Sequence, residues 1–331
     1  MSRKPQIRRA IGALIIAGSL IFARTGYLLV RPGSAEDLAR FVAVADGDEA
    51  DTGTFYLVTV TQQNASPLLL LYALADPIVD LQPSRRVLPE GMEPEEYREL
   101  MSRWMEESQN LAKVIALRRF GVEVPIESDG VEVVNIAEDS PAQGILQPGD
   151  IIASVDGKSI LLAEELVSKV QLRPIGEPVS LEVIRAGEKM TVTIPTTAHA
   201  DLPEKAAIRV MIQTLNWQPQ LPRDINIQVG EITGPSAGMM FVLEILNQLE
   251  PRDLTAGKKI SGTGTINLKE EVGAIGGVRQ KVRAAEKAGA QYFLVPLENY
   301  EEAKQAVRTI QLVPVKTLAD VIRFLDDIAK E

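Results

Sequence analysis

No cysteine occurs in the 331-residue chain, so disulfides, zinc ribbons and cysteine nucleophiles are excluded together, and the redox compartment stays open. Histidine is almost as scarce. The single one, His199, excludes a multi-histidine metal site, and no metal is expected. Positive charge is outweighed: 35 Lys and Arg against 45 Asp and Glu leave a net charge of −10, and no basic surface to meet a nucleic-acid backbone. A phosphate loop of the form GxxxxGK[ST] is also missing; "TAGKKIS" lacks both the first glycine and the hydroxyl residue after Gly-Lys. Neither a nucleotide nor any other cofactor is therefore expected. Hydrolytic chemistry here falls to Ser, Thr, Lys, Asp or Glu. What remains is a globular composition, 45% hydrophobic and 24% charged, long enough for about two domains.

The amino terminus carries Arg3, Lys4, Arg8 and Arg9 ahead of an apolar run from Ala10 to Ala23. Extended through Arg24 to Val30, with Arg24 snorkelling, the run reaches the length of about 20 residues that a membrane span needs. The pattern predicts a basic tail over 1–9 and a transmembrane helix over 10–30. A signal peptide shares this plan. Ile-Phe-Ala before Arg24 lacks the small residue a cleavage site wants, however, and a cut after Ala35 sits far from the apolar run. The flanking charge predicts a single pass of a bacterial plasma membrane, with the amino terminus cytoplasmic and the rest extracytoplasmic.

"FVAVA" (41–45) and "TFYLVTVTQ" (54–62) read as strands, and "SPLLLLYALADPI" as a buried helix. Residues 93–122 read as a long amphipathic helix, with Met101, Trp104, Met105, Ser108, Leu111, Ala112 and Ile115 at helical spacing and Gly121 at its end. The next segment alternates short β-type runs with turns, Asp156-Gly157 marking a hairpin. Ser140-Pro141-Ala142, Leu146, Gly149-Asp150-Ile151-Ile152 and Val155-Asp156-Gly157 resemble a PDZ domain, assigned to 122–197. Such a fold leaves a sheet edge beside a helix where an extended peptide can add as a strand. Phe120, Gly121 and Val122 are either the loop receiving a peptide carboxylate or simply the helix stop.

Further on, "GPSAG" sets Ser236 after Gly234-Pro235 and before a long apolar helix. On these residues alone Ser236 is either a cap or a nucleophile. Gly276-Gly277 introduces a second helix with the apolar stripe Val278, Val282 and Ala285, on which Lys281 lies. Arg279, Arg283, Glu286 and Lys287 fall on the opposite face. An inward lysine either snorkels or sheds its proton, and a neutral lysine can act as a general base. Between the two, "KISGTGTINL" (259–268) reads as one strand. It carries Gly262 and Gly264 on one face and Ser261, Thr263 and Thr265 on the other.

"GPSAG", "TGTI" and "VGAIGGVRQKVRAA" together resemble the proteolytic domain of Lon-type peptidases, in that family's order. "WMEESQNLAKVIALRRFGV" is similar to the family's long first helix. The resemblance implies an α+β Lon-type domain in two parts, 41–121 and 200–331, with the PDZ domain inserted, as in the membrane-anchored PDZ-containing branch. It also implies Ser236 as nucleophile, Lys281 as base, and Thr263, Gly234 and Pro235 as their support. The substrate class would be peptides or unfolded proteins, and assembly as a hexamer is common in the family. Thr233 stands where many Lon enzymes carry an acid, which puts gating by that acid in doubt. The competing reading is a membrane-tethered PDZ adaptor with an inactive peptidase scaffold; intact Ser236 and Lys281 favour the enzyme.

Overall fold

The computed structural model describes residues 23–47, 52–88, 92–200 and 202–330. Three strands come first, β1 (Tyr27–Asp37), β2 (Val42–Val44) and β3 (Thr54–Asn64). Helix α1 (Pro67–Ala75), β4 (Asp80–Pro83) and the short α2 (Ser84–Val87) lead to α3 (Pro94–Arg119). Pro94 opens α3 at a position that needs no amide donor, and the Glu96 carboxylate accepts from the Glu93 amide at 3.1 Å.

A second group of strands follows: β5 (Val131–Ile136), β6 (Ile151–Val155) and β7 (Lys158–Ser159). Helix α4 (Ala163–Gln171) then precedes β8 (Pro178–Arg185), β9 (Glu188–Pro195), β10 (Thr197–Ala198), β11 (Ala206–Ala207) and β12 (Val210–Thr214). Five of these form an antiparallel sheet in the order β12-β5-β6-β8-β9, with β7 paired to β6. Asp156-Gly157 and Ala186-Gly187 both take positive φ, the turn geometry that suits two-residue hairpins. Val131, Val133, Ile152, Leu181, Val183 and Ile194 bury one sheet face under Leu166 of α4.

The chain then returns through β13 (Ile225–Ile227), α5 (Gly238–Leu249), β14 (Lys259–Gly262), β15 (Thr265–Ile266) and β16 (Val272–Gly273). It ends with α6 (Val278–Lys287), β17 (Tyr292–Pro296), α7 (Tyr300–Lys304), β18 (Gln311–Val315) and α8 (Leu318–Ile328). Strands from both ends of the chain build one sheet, β18-β17-β14-β3-β1-β4. Its central join is parallel, Ser261 of β14 lying opposite Tyr56 of β3. Neighbouring residues of one strand serve opposite faces. Leu57 and Leu294 pack with α3 and α5, whereas Val58 and Phe293 pack with α6. Helix α5 is apolar nearly all round because it is enclosed: Met239, Met240, Phe241, Val242 and Leu243 have no exposed surface.

Four expectations need correction or refinement. The transmembrane helix over 10–30 does not stand, since the part from Tyr27 onward is β1, with Leu29 and Val30 buried between β3 and β4. A short apolar run flanked by partner strands has the same hydropathy as a helix segment, and only its pairing tells them apart. Among the described residues no helix is long and apolar enough to cross a membrane, so the single-pass topology and the plasma-membrane location built on that helix fall with it. Residues 10–22 of the expected span, and the tail 1–9, lie outside the described residues.

Helix α1 is not buried. Leu71 is 62% and Leu74 82% exposed. "KISGTGTINL" is two strands in two sheets, broken at Thr263-Gly264. The second sheet also takes in β12, beyond residue 197 where the sequence pattern ends the PDZ segment.

Candidate active site

Ser236 does not cap α5. Ala237 holds the N-cap position, and the Ser236 side chain turns instead to Lys281. The Lys281 ammonium donates to Ser236 Oγ at 2.7 Å and to Thr263 Oγ1 at 3.0 Å. Thr263 Oγ1 in turn donates to the Ser236 carbonyl at 2.9 Å, and the Gly264 amide donates to the same oxygen at 2.8 Å. The break between β14 and β15 frees Thr263 and Gly264 for these bonds. Three segments thus meet: the turn before α5, the end of β14 and the first turns of α6.

Lys281 is placed by the stripe that predicted it. Val278, Val282 and Ala285 seat α6 against the sheet with no exposed surface, and Lys281 is 3% exposed beside them. Burial pushes its ammonium down to about 7, because leaving water costs the charged form more than the neutral one. Its two hydrogen-bond partners are hydroxyls, which can serve either protonation state. Ser236 is only half-buried, so the nucleophile candidate is reachable while its base candidate is screened.

The other predicted residues fall as follows. Gly234 and Pro235 form the turn before Ser236, Gly234 with φ +91° and its amide bonded to the Met101 carbonyl at 3.0 Å. Ser261, expected beside Thr263, is fully buried, but its hydroxyl finds no hydrogen-bond partner among the described residues. Phe120, Gly121 and Val122 form the stop of α3, the Val122 amide reaching back to the Leu117 carbonyl at 2.9 Å. Nδ1 of His199 accepts from the Leu202 amide at 3.2 Å, in the turn joining β10 and β11. Cavities of about 870 and 810 Å³ lie elsewhere, and neither Ser236 nor Lys281 lines them. No cluster of metal-ligating side chains occurs among the described residues.

The sequence pattern put Ser108 on the α3 stripe without a part in the site. Its hydroxyl donates to the Pro235 carbonyl at 3.0 Å, tying the middle of α3 to the serine turn. The signal was present: like Lys281, Ser108 is a polar residue on an otherwise apolar helix stripe.

Residues 206–325 match the Lon protease (S16) C-terminal proteolytic domain, and residues 119–196 match the PDZ domain. The chain is thus similar to Lon-type serine peptidases over one region and to PDZ domains over another. Over 185 residues it is 27% identical to the archaeal Lon protease of Thermoplasma acidophilum, covering 53% of this chain and 28% of that protein. Over 125 residues it is 30% identical to Lon protease 2 of Bacillus subtilis, covering 36% of this chain and 22% of that one. The solved PDZ domain of an SdrC-like protein from Listeria innocua is 28% identical with a TM-score of 0.24, covering 25% of this chain and 93% of that chain. The chain spans about a quarter of the length of these two Lon proteases.

Proposed function

We propose that the chain is an ATP-independent endopeptidase acting on peptides or unfolded proteins, with Ser236 as nucleophile and Lys281 as general base. One observation carries this: a buried lysine, pushed down to about 7, lies 2.7 Å from a half-exposed serine hydroxyl. In the first step Ser236 Oγ bonds to the scissile carbonyl carbon while its proton passes to neutral Lys281 Nζ. As the tetrahedral intermediate collapses, the C–N bond breaks and Lys281 gives that proton to the leaving amine. Water then repeats the sequence on the acyl-enzyme and frees Ser236. The backbone amides of Ser236 and Ala237 are the donors assigned to the oxyanion. Thr263 is a positioning residue, holding Nζ on one side and the Ser236 carbonyl on the other.

ATP independence rests on the missing GxxxxGK[ST] loop within these 331 residues. The test is hydrolysis of an unfolded protein by the purified chain without nucleotide, followed by acyl-enzyme trapping at Ser236 by mass spectrometry. Cleavage that needs ATP, or that survives Ser236→Ala, would sink the proposal.

A further inference from the structure

An extended peptide joins a PDZ fold by adding to the sheet edge beside its helix. Here β12 already occupies β5 on that side and stands as the outer strand of the sheet. β12 pairs antiparallel with β5, from Val210 opposite Ile136 to Thr214 opposite Val131. On the helix side, Leu166 and Val170 of α4 share a core with Ile208 and Ile212, and Thr214 Oγ1 accepts from the Ala163 amide at 2.9 Å. The chain's own strand therefore supplies the backbone partners that a captured peptide would bring.

β12 is also clasped to α3. Trp104 Nε1 donates to the Ile212 carbonyl at 2.9 Å, Arg103 Nη1 donates to Gln213 Oε1 at 3.1 Å, and Thr214 Oγ1 donates to Glu107. The same helix holds the serine turn. Met101 accepts from the Gly234 amide, and Ser108 donates to the Pro235 carbonyl, each at 3.0 Å. Positions 101, 104 and 108 lie on one helix face, so the bond to β12 sits between the two bonds to the turn. Gly238, just after that turn, keeps the approach close, since a Cβ there would meet Ser108 Oγ at 2.7 Å.

We infer that β12 is an internal strand ligand of the PDZ groove, through which the PDZ unit positions the Ser236 turn by way of α3 instead of capturing substrate on β5. The inference rests on Ser236 being the nucleophile. Trp104 and Ser108 are then positioning residues.

Two arms of the test do not need turnover. A fluorescein-labelled peptide of residues 209–216 should show no saturable binding to the full chain carrying Ser236→Ala. Saturable binding would mean that β5 is open to a peptide and would overturn the inference. In wild type and Trp104→Phe, amide hydrogen exchange over residues 230–238 should differ, faster in the variant and unchanged in Lys287→Arg. Equal exchange in all three would remove the link through α3.

The other arms use hydrolysis of a short labelled peptide. Trp104→Phe should lower kcat about fivefold, the effect of one lost hydrogen bond, with KM and the pH midpoint unchanged. An unchanged kcat counts against positioning. Asn135→Cys with Met211→Cys places facing thiols across β5 and β12 in a chain that has no other. The oxidised form should cleave the peptide and unfolded casein as fast as the reduced form. Loss on oxidation that reductant restores would show that the edge must open. Residual hydrolysis in Ser236→Ala would instead indict the nucleophile assignment and leave the binding and exchange results standing.

Discussion

At Ser236, segments 18 and 45 residues from Lys281 converge on one buried ammonium, and each hydroxyl there is placed to move a proton or hold one. At the PDZ edge, one five-residue strand uses its backbone and three of its residues to hold two larger units together. Both are dense in hydrogen bonds, yet they differ in what is left over. The serine site keeps a labile proton and a half-exposed hydroxyl. The edge keeps no accepting strand on β5. Hydrogen-bond density alone therefore does not mark a site; what matters is whether a group remains that can react or pair.

The largest expected effect tests the reactive side of that contrast. Lys281→Ala should lower kcat by about 10²–10⁴-fold, and Lys281→Arg nearly as much, because a guanidinium stays protonated. The Ser236→Ala, Lys281→Ala pair should be no worse than the more severe single change, read as hydrolysis rates after circular dichroism confirms folding. A Lys281→Arg enzyme with ordinary turnover would leave Ser236 without its base.

Next comes pH. Lys281 must be neutral, so kcat/KM should rise as pH increases through about 7 and then level off. Burial also pushes Glu164, in α4, up to about 7, against the opposing pull of its bond from the Leu268 amide. Glu164→Gln therefore sharpens the comparison: the midpoint should stay if Lys281 sets it and vanish if Glu164 does. Stability carries the same sign. The folded value lies below the unfolded one, so between the two the unfolded chain binds the extra proton and stability rises with pH. Lys281→Met should raise Tm most below pH 7, with a gain that shrinks towards pH 10.

Two structural changes of moderate size compare the sheets themselves. Asp150 is 1% exposed and accepts from Arg185 Nε and Nη2, each at 2.7 Å, and from the Gln147 amide at 2.8 Å. Asp150→Ala should cost about 3 kcal/mol in urea unfolding, since it strands a partly buried guanidinium. In the other sheet, a Cβ at Gly262 would meet Met240 Sδ at 2.7 Å and Leu294 Cβ at 2.8 Å. Gly262→Ala should cost about 1–3 kcal/mol by overpacking, and it should slow hydrolysis too, because Thr263 follows directly. Asp150→Ala should leave Lys281's pH midpoint in place. The smallest effect is Lys287→Arg, an exposed change at the end of α6 that should alter neither rate nor Tm measurably.

Much of the serine site was legible because it is local in pattern. A serine between glycines, a lysine on an apolar stripe and a threonine in a glycine-broken segment each stand out within a few residues. The strand pattern set Ser261 and Thr263 on one face and left both open, and the resemblance alone singled out Thr263; the chain breaks between β14 and β15, so the two hydroxyls part. The exposed leucines of α1 and the strand Tyr27–Asp37 were misjudged for one reason. Hydropathy records what a residue prefers, not which neighbour satisfies it.

By itself the sequence determined which chemistry was open to this protein: no thiol, no histidine pair, no nucleotide loop, a serine motif, and one lysine on an apolar helix stripe. It also determined several elements, the helices α3, α5 and α6 among them, because periodicity and turn residues act over a few positions. Tertiary structure alone decided that β14 pairs with β3, that β12 pairs with β5, and that α3 bonds both to β12 and to the turn before Ser236. These are pairings between backbones and carbonyls far apart in the chain. Every residue except proline carries the same amide and carbonyl, so little in residue type announces which distant partner they will take.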